Sequence, residues 1–175
     1  NDNGRSLTLS TKAHPQLYRE VQTNEELCVK SGLPEFDLVL GGGIVSGSLV
    51  LIGGDPGIGK STLLLQIAAQ YPGPVVYVSG EESERQIKLR GERLGIDASS
   101  LLLYSETQLE QIIKELKSTS PALVVLDSVQ TIFSSKFSSA PGSISQIREV
   151  TTELLYFAKA TSTPVFLIGH VNKEG

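Results

Sequence analysis

Leu49-Val50-Leu51-Ile52-Gly53-Gly54-Asp55-Pro56-Gly57-Ile58-Gly59-Lys60-Ser61-Thr62 is the stretch that decides how this chain folds. An apolar run passes into a glycine-rich turn, and a leucine-rich pattern of helical spacing starts directly after it. From Gly54 to Ser61 the turn spells G-x-x-x-x-G-K-S, a phosphate-binding loop. Glycines let the backbone curl so that successive N–H groups point at phosphate oxygens, and the following helix adds its positive N-terminal end. Lys60 is placed to reach the β- and γ-phosphates, and the Ser61 hydroxyl to ligate Mg²⁺. Gly54, Asp55, Pro56, Gly57, Ile58, Gly59, Lys60, Ser61 and Thr62 are therefore the candidate nucleotide-binding residues. Glycines alone would also suit a plain strand-to-helix turn; the apolar strand before and the helix after are the context that the motif requires.

Outward from that loop, the chain has 175 residues, enough for one domain with a proper core. Hydrophobic residues make up 39% and charged residues 19%, which matches an ordinary soluble domain. No apolar run reaches the length of a membrane span. A net charge of −4 gives no overall basic footprint for nucleic acid, so any such contact must come from local loops. Cys28 is the single cysteine, which excludes an internal disulfide and suits a reducing compartment; it reads as a small, half-buried residue. With only His14 and His170 besides, no zinc site of ordinary spacing can be drawn. The chain starts at Asn1, lacks methionine and stops just past a strand-like run, so a fragment of a longer polypeptide is expected.

Residues 1–26 are polar and mixed, and read as an N-terminal tail or linker. Residues 27–175 read as the folded core. Ser31 to Leu40 predicts a short helical turn with Pro34 near its start, ended by Gly41-Gly42-Gly43. The phosphate loop follows the first core strand, about Leu49 to Ile52. Leu63, Leu64, Ile67 and Ala68 give the next helix its apolar face, up to Pro72. Val75 to Val78 reads as a strand covered on both faces. Ser83 with Gln86, Ser105 with Gln108, and Ser143 with Gln146 each predict a capped helix start. The last of these helices is expected to bury Ile144, Ile147, Leu154, Leu155 and Ala158. Leu101 to Tyr104, Ala122 to Asp127 and Pro164 to Gly169 are the remaining strands, and Phe133 to Gly142 is a Ser-rich loop.

Strands thus alternate with helices, which predicts an α/β fold with a mostly parallel central sheet and helices on both faces. Active sites of such sheets gather at the carboxyl ends of the strands. The phosphate loop, Glu81, Asp127 and His170 all fall there. Asp127 closes a very apolar strand, as an acid that holds Mg²⁺ does, although an acid at a strand end can also be a simple turn residue. Glu81 and Glu82 follow the neighbouring strand; Glu81 is the better base for an attacking water, and either acid would also favour a helix N-terminus. His170 could contact a γ-phosphate, yet a lone histidine is more often structural. Lys136, Arg148 and Lys173 are ordinary solvated charges or contacts to nucleic-acid phosphate.

Taken together, Leu40 to Leu49, Ile52 to Gln66, Tyr77 to Ser83, Asp127 to Thr131, Ala140 to Glu149 and Ile168 to Gly175 resemble the RecA-like ATPase domain of the bacterial RadA (Sms) family of DNA repair proteins. The resemblance spans about Ser31 to Gly175. It implies a RecA-like P-loop NTPase fold, with ATP and Mg²⁺ as cofactors and Ser61 and Asp127 at the metal. It further implies Glu81, Lys60 and His170 as catalytic residues, His170 standing where related folds have a sensor glutamine. The loops after Asp127 and after His170 correspond to two DNA-facing loops, the second cut off at its first residues. Partners implied are single-stranded DNA and a homo-oligomeric ring, expected to be a hexamer, in a bacterial cytoplasm or a plant organelle, with no membrane. The family's four-cysteine zinc module, its Lys-Asn-Arg-Phe-Gly motif and its Lon-protease-like domain have no counterpart in the sequence. A fragment that binds nucleotide but hydrolyses it slowly and holds DNA poorly is therefore expected. Competing expectations are a replicative-helicase-like or clock-protein-like RecA relative, a P-loop kinase for a small molecule, and a nucleotide-gated binding module without catalysis.

Overall fold

The computed structural model describes residues 14–21 and 28–171. Most of the expected tail, together with Lys173 and the loop that holds it, lies outside the described residues. A single 3₁₀ turn, Tyr18–Glu20, stands in the described part of the tail, with no buried residue.

Two short strands, β1 (Cys28–Val29) and β2 (Ile44–Val45), pair antiparallel around helix α1 (Pro34–Val39). Pro34 sits at the start of α1, where its missing N–H costs nothing. Buried Asp37 turns back to accept the Ser31 N–H at 2.8 Å, which lowers its pKa. Cys28 is exposed rather than half-buried: its strand is two residues long and, among the described residues, pairs only with β2.

The main sheet contains β3 (Leu49–Gly54), β4 (Val75–Ser79), β5 (Leu101–Ser105), β6 (Leu123–Asp127) and β7 (Val165–His170), in the order β3-β7-β6-β4-β5 and parallel throughout. Helices α2 (Lys60–Gln70) and α3 (Glu84–Arg93) cover one face; α4 (Leu109–Thr119) and α5 (Ile144–Thr161) cover the other. Strand alternation divides the core accordingly. Val75, Tyr77, Leu123, Val125, Phe166 and Ile168 pack with α2 and α3, whereas Val76, Val78, Val124, Leu126, Val165 and Leu167 pack with α4 and α5. Both central strands β4 and β6 are buried at every residue, which is why they read as unbroken apolar runs. Edge strands β3 and β5 leave Leu51 and Leu102 exposed. Among the described residues no helix is long and apolar enough to cross a membrane.

Helix starts follow the expected chemistry in part. Ser83 and Gln86 form a complete capping box. Ser105 does not cap α4: it ends β5, its hydroxyl donates to the Glu82 carbonyl at 2.9 Å, and α4 begins at Leu109. No side chain caps α4: Glu106 accepts the N–H groups of Thr107 and Gln108 just before the helix, at 2.8 and 3.0 Å, and the Leu109 N–H donates to the Phe133 carbonyl at 2.9 Å. Ser143 caps α5, but Gln146 turns away from it into the core and bonds to Ser134, Phe137 and Ser139. This buried carboxamide holds the inner side of the Ser-rich loop. The buried face of α5 consists of Gln146, Val150, Leu154, Phe157 and Ala158, with Ile147 packed against it; Ile144 and Leu155 are exposed. The i, i+4 steps Gln146, Val150, Leu154, Ala158 set that stripe, and a polar first member hides it from a search for apolar residues. Leu154 is fully buried in it, so Leu154→Ala is expected to cost about 2–5 kcal/mol of stability, measured by urea unfolding.

Candidate active site

The site assembles where α2 meets the carboxyl ends of β3, β7, β6 and β4. The phosphate loop runs from Gly54 to the first turn of α2, and Gly59 precedes that helix at φ 95°, a left-handed conformation that glycine adopts without strain. A Cβ added at Gly57 or Gly59 would meet no atom within 4 Å. Glycine here thus serves backbone conformation and leaves open space beside the loop, as a cradle for phosphate requires. Lys60 is buried; its Nζ donates to the Gly54 carbonyl at 2.8 Å and to the Asp55 carbonyl at 2.5 Å, so the ammonium lies along the inside of the loop. Asp55, Pro56 and Ile58 are exposed on the loop, and Thr62 is half-buried in the first turn of α2.

Asp127 continues the parity of Leu123 and Val125, so it points towards α2. Its Oδ2 accepts the Ser61 hydroxyl at 2.5 Å and the Tyr77 hydroxyl at 3.1 Å. Oδ1, although buried, has no hydrogen-bond partner. An orphaned carboxylate oxygen beside a serine hydroxyl is an oxygen donor set of the kind that Mg²⁺ takes, usually through water. The residues present fit the ion. Tyr77 is a buried phenol whose pKa is raised, by burial first and by the Asp127 charge second. Its hydroxyl stays protonated and pins the acid from beneath. Sequence reasoning missed this role; a lone tyrosine in an aliphatic strand, whose hydroxyl must find a partner when buried, was the available signal.

The two acids after β4 diverge. Ser79 Oγ accepts the N–H groups of both Glu81 and Glu82, at 3.2 and 3.0 Å, and turns the chain sharply at the strand end. Glu82 pairs with Arg90 of α3 at 2.8 Å. Glu81 points the other way: its Oε1 accepts the Ser128 hydroxyl at 2.9 Å and lies 3.3 Å from His170 Nε2. Carboxylate and imidazole ligand atoms of Glu81, Asp127 and His170 all fall within 4.8 Å of one another. His170 shares the face of Phe166 and Ile168, and its Nδ1 is buried without a partner. Ser128 and Gln130, which bond to Glu81 and to the His170 backbone, are further site residues that spacing did not single out. Lys136 and Arg148 are exposed and lie outside this cluster.

Close approach of backbone at Gly80 holds the two acid-bearing strand ends together. Its N–H donates to the Asp127 carbonyl at 2.9 Å, and a Cβ built on it would stand 2.2 Å from Thr131 Oγ1. Thr131 cannot give freely, because that oxygen bonds to the Ser128 carbonyl at 2.9 Å. Gly80→Ala is therefore expected to destabilise the protein by about 1–3 kcal/mol, read from a shifted denaturation midpoint.

A parallel sheet in this strand order, with a phosphate loop at one strand end and an acid on the strand two places across, defines a RecA-like P-loop ATPase domain. The chain belongs to the AAA domain family, whose model matches residues 13–175. It is 53% identical over 173 residues to "DNA repair protein RadA" of Bacillus subtilis (strain 168), covering 97% of this chain and 38% of that protein. It is 50% identical over 175 residues to "DNA repair protein RadA" of Streptococcus pneumoniae, covering 99% of this chain and 42% of that protein. The resemblance to RadA read from the motifs is thereby borne out, and the chain spans about two fifths of the length of these relatives. Among solved structures, a KaiC-like protein from Pyrococcus horikoshii matches with a TM-score of 0.63 and 24% identity, covering 83% of this chain and 71% of that one. That likeness concerns the fold.

Proposed function

We propose that this chain is the ATP-binding and ATP-hydrolysing core of a RadA-like DNA repair motor, acting on single-stranded DNA and branched intermediates as part of a homo-oligomeric ring. The observation that carries the hydrolytic assignment is the convergence of Glu81, Asp127 and His170 beside the loop that holds Lys60 and Ser61. The name of its relatives supports the DNA repair setting, and their bacterial sources support a bacterial cytoplasm.

In this mechanism the N–H groups of the loop from Gly54 to Gly59, and those of Lys60, Ser61 and Thr62 at the start of α2, bind the phosphate oxygens. Lys60 moves from the loop carbonyls to the β- and γ-phosphates. Ser61 and Asp127 would hold Mg²⁺, which, when bound, neutralises charge on the phosphate oxygens. Glu81 orients a water towards the γ-phosphorus and takes its proton as the new P–O bond forms and the bond to the ADP oxygen breaks. His170 contacts the γ-phosphate side and reports its loss to the adjoining backbone. Positioning and charge stabilisation supply most of the acceleration, since little covalent chemistry is asked of the protein.

Phosphate release by the full-length parent protein, with and without Mg²⁺ and with and without single-stranded DNA, tests the assignment. Turnover that disappears on chelation and rises with DNA is expected. Mg²⁺-independent turnover, or indifference to DNA in both binding and rate, would sink the motor assignment.

A further inference from the structure

Gln130 reaches across 40 residues of sequence to grip the backbone of His170. Its Nε2 donates to the His170 carbonyl at 2.9 Å, and its Oε1 accepts the His170 N–H at 3.2 Å. The sheet explains why such a grip is needed. β6 accompanies β7 only as far as Asp127 opposite Ile168, and the last backbone bond on that side runs from the Val129 N–H to the Ile168 carbonyl at 2.8 Å. On its other side β7 stays paired with β3, Gly54 lying opposite His170. The backbone groups of His170 that face away from β3 thus have no strand to bond to, and such groups need partners. A primary carboxamide presents one donor and one acceptor side by side and answers both.

Gln130 also belongs to the segment that joins β6 to α5. Its carbonyl lies against Gly142 near the far end of that segment, where an added Cβ would stand 3.4 Å from it. Thr131, the next residue, is bonded to Ser128, and Ser128 donates to Glu81. The side chain therefore ties the end of β7 to this segment, while the backbone carbonyl of the same residue stands close to the segment's far end.

We propose that Gln130 is a positioning residue that locks His170 to the 128–142 segment, so that a change at the γ-phosphate end of β7 is passed to residues 131–142. The proposal rests on the ATPase assignment for His170, and extends it by naming the mechanical link. Orientation of the imidazole against Glu81 depends on where the His170 backbone is held, so the grip governs the chemistry through His170 without touching the reacting atoms.

The test compares the wild-type chain with Gln130→Ala and Gln130→Glu. Residue-resolved amide hydrogen exchange at His170, without added nucleotide, reads the grip directly. Gln130→Ala is expected to raise that exchange about tenfold, and Gln130→Glu, which keeps the acceptor, to raise it less. Exchange across residues 131–142 on adding a non-hydrolysable ATP analogue with Mg²⁺ reads the coupling. Wild type should respond; Gln130→Ala should bind the analogue within about twofold of wild type, lose most of the response, and show kcat down about tenfold at unchanged KM. Unaltered His170 exchange in Gln130→Ala would overturn the grip. An equal response of residues 131–142 in both proteins, or a fall in affinity that merely tracks a lowered Tm, would overturn the coupling. Failure of the wild-type chain to bind the analogue would refute the ATPase assignment and the coupling with it, while the first measurement still judges the grip.

Discussion

Glu81→Gln is expected to bind ATP nearly as tightly as the wild type and to release phosphate about a hundred to ten thousand times more slowly. Replacement of one carboxylate oxygen by an amide removes the proton acceptor while keeping size and shape. Glu81 is partly exposed, and its contacts are one serine hydroxyl and the His170 imidazole, so the fold does not depend on it. Single-turnover hydrolysis, run beside a binding titration with a fluorescent ATP analogue, separates the two effects. A variant that keeps its turnover would remove Glu81 from the chemistry, whereas a wild type that binds ATP without turning it over would leave a nucleotide-gated binding module as the better description. The corresponding change at Glu82 supplies the control. That acid is held by Arg90, and Glu82→Gln is expected to leave turnover within about threefold, because an ion pair in reach of solvent contributes little.

Lys60→Ala is expected to weaken ATP binding about a hundredfold or more, through loss of charge-assisted contacts to the β- and γ-phosphates. The measurement is the rise in Tm on adding Mg²⁺ and ATP, which follows binding to the folded state and should vanish in the variant. Stability without nucleotide should change little. Alanine is a good helix former at the start of α2, and the two carbonyls that Lys60 now bonds belong to a loop open to water. Full nucleotide-dependent stabilisation of Lys60→Ala would show that the loop does not bind phosphate as proposed. The two variants fail differently, and that difference distinguishes positioning of the substrate from activation of the water.

Much of the fold was legible because its signals are local. The strand at Val75 to Val78 and the one ending in Asp127 are continuous apolar runs, and a parallel sheet buries both faces of its central strands. The Ser83–Gln86 box marks a helix start within four residues. Where signals of the same form failed, a contact from elsewhere in the chain had taken the residue. Ser105 was drawn into β5 by its pairing with Ser79, and the first N–H of α4 went to the Phe133 carbonyl instead. Gln146 was drawn into the core by the Ser134 to Ser139 backbone, which shifted the buried stripe of α5 onto Val150 and Phe157.

The sequence by itself determined the phosphate loop, the placing of Asp127 and His170 at the carboxyl ends of their strands, and the family. These depend on spacing along one strand or one turn, where covalent geometry sets direction. Only the tertiary structure decided which of two adjacent glutamates meets His170, that Tyr77 holds Asp127 from below, and that Gln130 closes the gap left where β6 departs from β7. Each of those is a contact between segments far apart in the chain, made by side-chain reach and by the demand of buried polar groups for partners. No spacing rule within a single segment encodes them.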